Sequence, residues 1–153
     1  MNQDRIESLL KTVLDTRDIK LDSQSREKYG SDWSAVKAGD PIAVIFPRNT
    51  LQLIDVIRLC NIEDIPFIGS GGRTGLSGGA TAVGKELIIS FEKMNKILDF
   101  DEHNKTVICE PGLITQNLQE FALKNNLFYP IDFSSIGSSQ IGGNIATNAG
   151  GIR

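Results

Sequence analysis

The chain has 153 residues and a formal net charge of −3, and 40% of its residues are hydrophobic and 23% charged. That length can bury one substantial core. The sequence holds no cluster of Lys and Arg, no run of about 18 apolar residues and no cationic segment followed by an apolar leader. We therefore expect a soluble, cytoplasmic protein with no nucleic-acid partner and no membrane span.

The first half of the chain begins with a helix, a linker and a strand. Apolar residues at helical spacing predict an amphipathic helix over residues 4–16. Residues 29–41 are polar and contain glycine and proline, which is typical of a surface linker. Residues 42–46, IAVIF, form the short apolar run expected of a strand that is covered on both faces.

A second helix and a second strand follow. Thr50 is the expected N-cap of a helix whose apolar residues recur at i, i+3, i+4 and i+7. Residues 65–69, IPFIG, predict the next strand. The order strand, helix, strand indicates a right-handed parallel crossover.

The remainder of the chain predicts three strands, a helix and an irregular tail. Residues 87–91, 96–100 and 106–110 are short β-type runs separated by turn-like segments, which indicates consecutive antiparallel strands. Residues 114–126 predict a helix that ends at two asparagines. From residue 129 on, the sequence is small, polar and glycine-rich, and we expect no helix or strand there that would close a domain.

Together these elements predict an α+β fold in which a small parallel β-α-β subdomain precedes an incomplete, mainly antiparallel second subdomain. Residues 1–40 would supply the helix and linker. Residues 41–80 would form the β-α-β unit with its loop, and residues 81–153 would begin the second subdomain.

Glycine is concentrated in two windows, with six residues in Gly69–Gly79 and five in Gly137–Gly151. Glycine permits positive φ and close approach of the backbone to a ligand, and successive N–H groups can form a concavity for anions. The first window follows a predicted strand, so it is a candidate phosphate site. A flexible loop or a series of tight turns is the alternative for this window taken alone.

Two better-known phosphate motifs do not fit. The dinucleotide fingerprint GxGxxG would need glycine at Thr74, and no amphipathic helix follows it. Residues 79–86 read GxxxxGK, but Glu86 stands where a P-loop requires Ser or Thr. We therefore exclude a Rossmann fingerprint and a P-loop.

Few residues suggest catalysis or metal binding. Cys60 and Cys109 form no CxxC pair and are expected to be core thiols. His103 is the single histidine and lies in a polar turn, so it cannot be both a metal ligand and a general base. We assign no catalytic residue and no metal site to this chain.

Four blocks resemble the FAD-binding domain of the vanillyl-alcohol oxidase (PCMH-type) flavoproteins: PFIGSGGRTGLSGGA, IISFEKMNKILDFD, EPG and YPIDFSSIGSSQIGGNIATNAGGIR. Within that superfamily they resemble the FAD-linked 2-hydroxy-acid dehydrogenases, such as the flavin-binding chain of glycolate oxidase, D-2-hydroxyglutarate dehydrogenase and D-lactate dehydrogenase. Their order and spacing match from about Asp32 to Arg153. The resemblance covers roughly the first third of such an enzyme.

The resemblance implies that the first glycine window wraps the FAD pyrophosphate through backbone N–H groups and that the second lines the flavin and ribityl side. The implied pyrophosphate residues are Ser70, Gly71, Gly72, Arg73, Thr74, Gly75, Leu76, Gly78 and Gly79. The implied flavin-side residues are Pro130, Ile131, Asp132, Gly137, Ser138, Ile141, Gly142, Gly143, Asn144, Thr147, Asn148 and Gly150.

Arg73 departs from the part of the superfamily that binds flavin covalently. Those members place histidine just before the Ser or Thr of this loop, whereas this chain has Arg73 before Thr74. The resemblance therefore implies non-covalent FAD. The Arg73 guanidinium either reinforces the pyrophosphate site or faces solvent.

By resemblance, the complete enzyme would transfer a hydride from the α-carbon of a D-2-hydroxy acid to flavin N5. The chain would then be its FAD-binding portion and would need a complementary C-terminal piece. One alternative is a non-catalytic FAD- or nucleotide-binding module, and a weaker one is a sugar-nucleotide reductase of the same superfamily.

An unfinished domain has a physical consequence. Ile141, Ile145 and Ile152 would lack packing partners and would be exposed or mobile, and the open edge would favour self-association.

Overall fold

The computed structural model describes residues 3–151. In chain order its elements are α1 Gln3–Leu10, a 3₁₀ turn Thr16–Asp18, β1 Ile19–Lys20, α2 Ser23–Tyr29, β2 Ala43–Ile45, α3 Thr50–Ile62, β3 Phe67–Ser70, β4 Leu87–Ser90, β5 Ile97–Asp101, β6 Thr106–Cys109, α4 Thr115–Lys124 and α5 Ile141–Ala146.

Four strands form one sheet in the order β1-β2-β4-β3. Strands β2 and β4 are the inner strands; β4 pairs in parallel with both of its neighbours, so Leu87 lies opposite Ala43 on one side and Phe67 on the other. Strand β1 adds an antiparallel edge. The predicted strand-helix-strand crossover is present, but its two strands flank β4 instead of touching.

The expectation that residues 87–91 begin an antiparallel series is therefore wrong. Every residue of β4 is buried, as its continuous apolar run requires of an inner parallel strand. Adjacent parallel strands need a crossover of about a dozen residues or more, and residues 71–86 supply it between β3 and β4. The first glycine window is thus part of a crossover connection, and the first sheet extends past the predicted boundary at residue 80.

The sheet is packed on both faces, and alternate residues of the inner strands point to opposite sides. Ala43, Ile45 and Leu87 join a core with Ile6, Leu10, Val56 and Cys60 of the helices α1 and α3. Val44 and Ile88 join a second core with Tyr29, Phe46 and Ala82. The predicted helices over residues 4–16 and from residue 50 pack as expected, although α1 ends earlier, at Leu10.

Strands β5 and β6 form a separate antiparallel pair, as predicted. Helix α4 packs beside them, and Leu113, Leu118 and Ile141 form a third core with partly buried residues of both strands. The tail differs from expectation because it contains the six-residue helix α5. Ile141, expected to be exposed, is buried, whereas Ile145 is 76% exposed; Ile152 lies outside the described residues.

Some local details also differ from expectation. Asn49, not Thr50, caps α3, since its side chain accepts a hydrogen bond from the Gln52 N–H. Strand β1 and helix α2 were not predicted, because β1 has two residues and α2 is mostly polar. Among residues 3–151, no helix has the length and apolar content needed to cross a membrane.

Candidate cofactor-binding site

The two glycine windows meet in space. A Cβ atom on Gly72 would lie 2.1 Å from the Ser138 carbonyl oxygen and 2.9 Å from the Ser139 Cα, so only glycine fits against this backbone. A Cβ on Gly71 would lie 3.6 Å from Gln140 Oε1. Segments far apart in sequence therefore form one continuous wall.

A cavity of about 290 Å³ opens along this wall. Both windows contribute to it, together with the segment after β4, the turn after β6 and the start of α4. It is lined by Gly72, Arg73, Glu92, Asn95, Gly112, Ile114, Asn117, Gly137, Ser138 and Gln140. The lining combines glycine backbone, side-chain amides and one opposite-charge pair, which suits a polar ligand.

The far end of the first window is fixed to the linker before β2 by Asp32. Its carboxylate accepts hydrogen bonds from the Thr81 hydroxyl at 2.8 Å, the Ser34 N–H at 2.9 Å and the Ala80 N–H at 3.4 Å. Burial opposes ionisation of Asp32, but these hydrogen bonds outweigh it and hold the carboxyl pKa below its usual value. The loop is therefore held at both ends, which argues against the flexible-loop alternative.

Gly78 needs the conformational freedom of glycine. Its φ is +80°, and a Cβ there would lie 2.7 Å from Val36 Cγ2. Close by, the Trp33 N–H donates a hydrogen bond to the Gly75 carbonyl. The linker and the glycine window thus form a joined surface.

Arg73 is directed inward, so the solvent-facing one of the two alternatives for its side chain is wrong. Its side chain is 16% exposed, and its guanidinium lies 4.4 Å from the centre of the Tyr29 ring. The guanidinium donates to the Gly71 carbonyl at 3.1 Å and to a Glu92 oxygen at 3.4 Å. These contacts accompany an Arg73 φ of +57°, in the left-handed region that favours glycine. Arg73 therefore links the first window to Glu92 and also lines the cavity.

Tyr29 completes this cluster. Its hydroxyl donates a 2.8 Å hydrogen bond to the other Glu92 oxygen. Burial raises the pKa of Tyr29 to about 12, the hydrogen bond and charge of Glu92 add to the rise, and the charge of Arg73 opposes it. Because the folded pKa exceeds the ordinary value of about 10, the associated stability is complete below about pH 10 and is lost as the pH rises through 12.

An alkaline titration tests this cluster. The chain has two tyrosines, so Tyr129→Phe leaves Tyr29 as the single tyrosine. We expect its absorbance change at 295 nm to give a pKa of about 12, and Glu92→Gln in the same background to shift it downward. A Tyr29 that titrates near its ordinary value, with or without Glu92, would contradict the hydrogen bond.

The second window is held by a buried polar network. The Asn144 side chain donates to the Thr115 hydroxyl at 2.7 Å, and that hydroxyl lies 2.7 Å from the Ser139 hydroxyl. The Gly142 N–H donates to the Pro111 carbonyl at 2.8 Å. The Asn144 amide thus donates a hydrogen bond that joins α5 to α4, although the resemblance implied a place for Asn144 on the flavin wall.

The structure gathers some of the predicted site residues and separates others. Gly72, Arg73, Gly137 and Ser138 line the cavity, and Gly71 lies against the same wall. The others lie outside the lining: Ser70, Thr74, Gly75, Leu76, Gly78, Gly79, Pro130, Ile131, Asp132, Ile141, Gly142, Gly143, Asn144, Thr147, Asn148 and Gly150. Among these, Ser70 is fully buried, and its hydroxyl donates to the Tyr29 carbonyl.

Sequence reasoning missed several lining residues as parts of the site. Glu92, Asn95 and Gln140 lie inside the blocks that carry the resemblance but were given no site role, and Asn117 lies outside those blocks. Gly112 did have a signal, because it belongs to the EPG block. A Cβ on Gly112 would lie 1.9 Å from the Phe91 carbonyl oxygen.

Other reactive side chains lie away from the cavity. Burial raises the pKa of the Cys60 thiol to about 11 and raises that of Cys109 as well, so neither favours a thiolate near neutral pH. His103 is exposed in the turn between β5 and β6. Within residues 3–151, no group of three or more His, Cys, Asp or Glu side chains is placed to hold a metal ion.

The fold and the site define a domain that binds a nucleotide cofactor. Glycine backbone at a strand end suits a diphosphate, since backbone dipoles can hold its charge without a cationic patch. Gln140 Oε1 is buried and has no hydrogen-bond partner among residues 3–151; it faces the same wall and suits a ligand hydroxyl or N–H.

Residues 41–153 match the family model described as the FAD binding domain, and the chain belongs to that family. It is 46% identical over 144 residues to D-2-hydroxyglutarate dehydrogenase of Stutzerimonas stutzeri, covering 94% of this chain and 31% of that protein. It is 41% identical over 125 residues to glycolate oxidase subunit GlcD of Bacillus subtilis, covering 82% of this chain and 27% of that protein. The chain thus spans about a third of these relatives or less.

Solved structures share the fold. Alkyldihydroxyacetonephosphate synthase superposes with a TM-score of 0.87 at 21% identity, over 97% of this chain and 32% of that one. p-Cresol methylhydroxylase superposes with a TM-score of 0.74 at 22% identity, over 95% of this chain and 28% of that one. The predicted PCMH-type α+β fold, with one parallel and one antiparallel sheet, is confirmed.

Proposed function

We propose that this chain is the FAD-binding portion of an FAD-linked oxidoreductase acting on a D-2-hydroxy acid. The observation that carries the proposal is the meeting of the two glycine windows at Gly72 and Ser138, on the wall of one cavity. Membership of the FAD binding domain family and similarity to 2-hydroxy-acid dehydrogenases support it.

The proposal gives the two windows different tasks. Residues 70–79 hold the diphosphate through backbone N–H groups, and residues 130–150 supply the flavin and ribityl side. Supporting this division, residues 71–86 connect β3 to β4 at the end of a parallel strand, where α/β folds commonly bind ligands. The inward turn of Arg73 leaves the charge of the diphosphate mainly to backbone dipoles.

The flavin is proposed to be bound without a covalent link. Arg73 stands at the position where the covalent members carry histidine, and its guanidinium is occupied by Gly71 and Glu92. When bound, FAD would supply the two-electron acceptor for hydroxy-acid oxidation. The chain's own residues would hold and orient it and restrict water at its buried side.

A visible absorption spectrum tests the proposal. The purified chain is measured as isolated, after incubation with FAD and gel filtration, and after acid precipitation. We expect yellow flavin to elute with the protein and to be released by acid. Flavin that stays with the precipitate would contradict the non-covalent link, and no retention at high protein and FAD concentrations would contradict binding by this chain.

A complementary C-terminal piece is the proposed partner, and the hydroxy acid would bind to the assembled protein. Supporting this, Leu98 and Ile108 of the β5–β6 sheet are each 59% exposed. Self-association through the same sheet is the other use of this surface. Analytical ultracentrifugation of the chain alone distinguishes a monomer from a self-paired form.

The cytoplasm remains the proposed compartment. The bacterial relatives' names specify no organelle, whereas those from Arabidopsis thaliana and Bos taurus are named as mitochondrial. Cell fractionation decides between these locations.

A non-catalytic FAD-binding module is the second candidate. Adding the separately expressed remainder of a relative distinguishes the two. Hydroxy-acid-dependent bleaching of the flavin supports the oxidoreductase, and unchanged absorbance with a stably bound remainder supports the module.

A further inference from the structure

Gln140 occupies an unusual position in the second window. It precedes α5 and is the residue at the helix N-cap, yet its side chain makes no capping hydrogen bond. Its backbone pairs with Ile114 across an isolated β-bridge, which fixes where its side chain begins. The residue is 6% exposed and lines the cavity.

The Gln140 carboxamide oxygen is buried and accepts no hydrogen bond from residues 3–151. Within residues 3–151, its Oε1 is the buried side-chain oxygen or nitrogen without a hydrogen-bond partner. A buried acceptor left unpaired destabilises the fold, so native chains pair such atoms with protein, water or ligand. Other buried polar side chains nearby, Thr115, Ser139 and Asn144, pair with one another.

In the orientation that the structure gives the carboxamide, the missing partner of Oε1 is a donor. An ionised phosphate offers only acceptors, so it cannot satisfy Gln140 Oε1. Arg73, the cationic donor in the same lining, is directed to the Gly71 carbonyl and Glu92. A hydroxyl or an imide N–H on the ligand supplies the required chemistry.

We propose that Gln140 is a ligand-binding residue that accepts a hydrogen bond from a hydroxyl or N–H group of the flavin nucleotide, beside the wall that Gly71 and Gly72 offer to its diphosphate. This inference rests on the proposed function. It adds a side-chain contact to the backbone N–H groups proposed for the diphosphate, and it separates the phosphate contacts from the rest of the ligand.

Gln140→Leu tests the proposal because it removes the amide and keeps a similar volume. Without ligand, we expect the variant's thermal midpoint to equal or exceed that of wild type, since an unpaired buried acceptor has been removed. With FAD, we expect the Kd to rise roughly 3- to 10-fold, the loss of one neutral hydrogen bond. A purely structural glutamine would lower the midpoint and leave the Kd unchanged.

Control and ligand fragments sharpen the result. Gln24→Leu makes the same change on the exposed face of α2 and should leave both readouts unchanged. FMN, ADP and inorganic pyrophosphate are then titrated as competitors. If Gln140→Leu loses affinity for FMN alone, the donor lies on the flavin side. If it loses affinity for ADP alone, the donor lies on the adenosine ribose. Either result supports the proposal.

Other outcomes overturn it. Equal loss of pyrophosphate affinity would show a general distortion of the site, and an unchanged Kd for FAD in a wild type that binds it would remove Gln140 from the site. If wild type binds no FAD, the proposed function is wrong, and this inference is wrong as well because it rests on that function. Gln140→Met, measured in parallel, replaces Gln140→Leu if the leucine variant does not fold.

Discussion

Gly72→Ala is expected to abolish retention of FAD and to lower the free energy of unfolding by about 3 kcal/mol, the upper part of the range for over-packing a well-packed site. The added Cβ would lie 2.1 Å from the Ser138 carbonyl oxygen and 2.9 Å from the Ser139 Cα. Both obstacles are backbone, so no side-chain rotation can relieve the clash. The two glycine windows must separate, and the cavity wall opens between them.

The measurement pairs urea unfolding with flavin retention on gel filtration. Gly84→Ala is the matched control, because it makes the same substitution in the same crossover connection and its Cβ would meet Glu86 at an ordinary 3.7 Å. We expect that control to change stability by less than about 1 kcal/mol. Wild-type stability and flavin retention in Gly72→Ala would show that the windows do not meet at this point.

A smaller loss of stability with complete loss of flavin would have a different meaning. It would show that the chain relieves the clash by moving one window away from the other. The site would then depend on the contact more strongly than the fold does.

Periodicity and apolar runs predicted much of the fold. Residues 42–46 and 87–91 were predicted as strands because buried strands need continuous apolar sequence, and β5 and β6 were predicted as an antiparallel pair because a short turn joins them. Strand order was not predictable in this way. The local sequence of β4 is compatible with pairing to β5 and with insertion between β2 and β3. The packing of both sheet faces decides between these two strand orders.

The site, like the fold, was only partly predictable from the sequence. The glycine windows were visible because Gly72 and Gly78 satisfy backbone requirements that no other residue meets. Glu92 and Gln140 stand in the quoted blocks but were given no site role, because their roles depend on which segments the crossover connection brings together. Arg73 was identified, but its direction depended on Tyr29 and Glu92, which lie far from it in sequence.

Asp18→Asn is expected to lower the free energy of unfolding at pH 7 by about 2 to 4 kcal/mol. Asp18 is fully buried, and its carboxylate accepts two hydrogen bonds from Arg48, at 2.6 and 2.9 Å, and one from Lys93. It joins the 3₁₀ turn before β1 to the segments that follow β2 and β4. Because both cations are partly exposed, we place the loss below the largest values known for broken buried pairs.

Urea unfolding at pH 7 measures this loss, and Asp55→Asn provides the control. Asp55 forms a surface pair with Arg58 at 3.7 Å, with both side chains more than half exposed. Surface pairs contribute about 0 to 1 kcal/mol, so the control should remain close to wild type. Equal effects of the two substitutions would show that the Asp18 cluster does not join these segments.

The pH dependence gives the same prediction an independent readout. Burial alone would raise the pKa of Asp18, but hydrogen bonds and charges from Arg48 and Lys93 outweigh it and hold the pKa below its ordinary value. The unfolded chain then binds a proton more readily than the folded chain, so the stability from Asp18 is present above its unfolded pKa of about 3.9 and is lost as the pH falls through its folded pKa. The difference in unfolding free energy between wild type and Asp18→Asn should therefore be constant from pH 7 to pH 5 and shrink below pH 4. A difference that stays constant down to pH 2 would show that the asparagine disturbs packing instead of removing an ion pair.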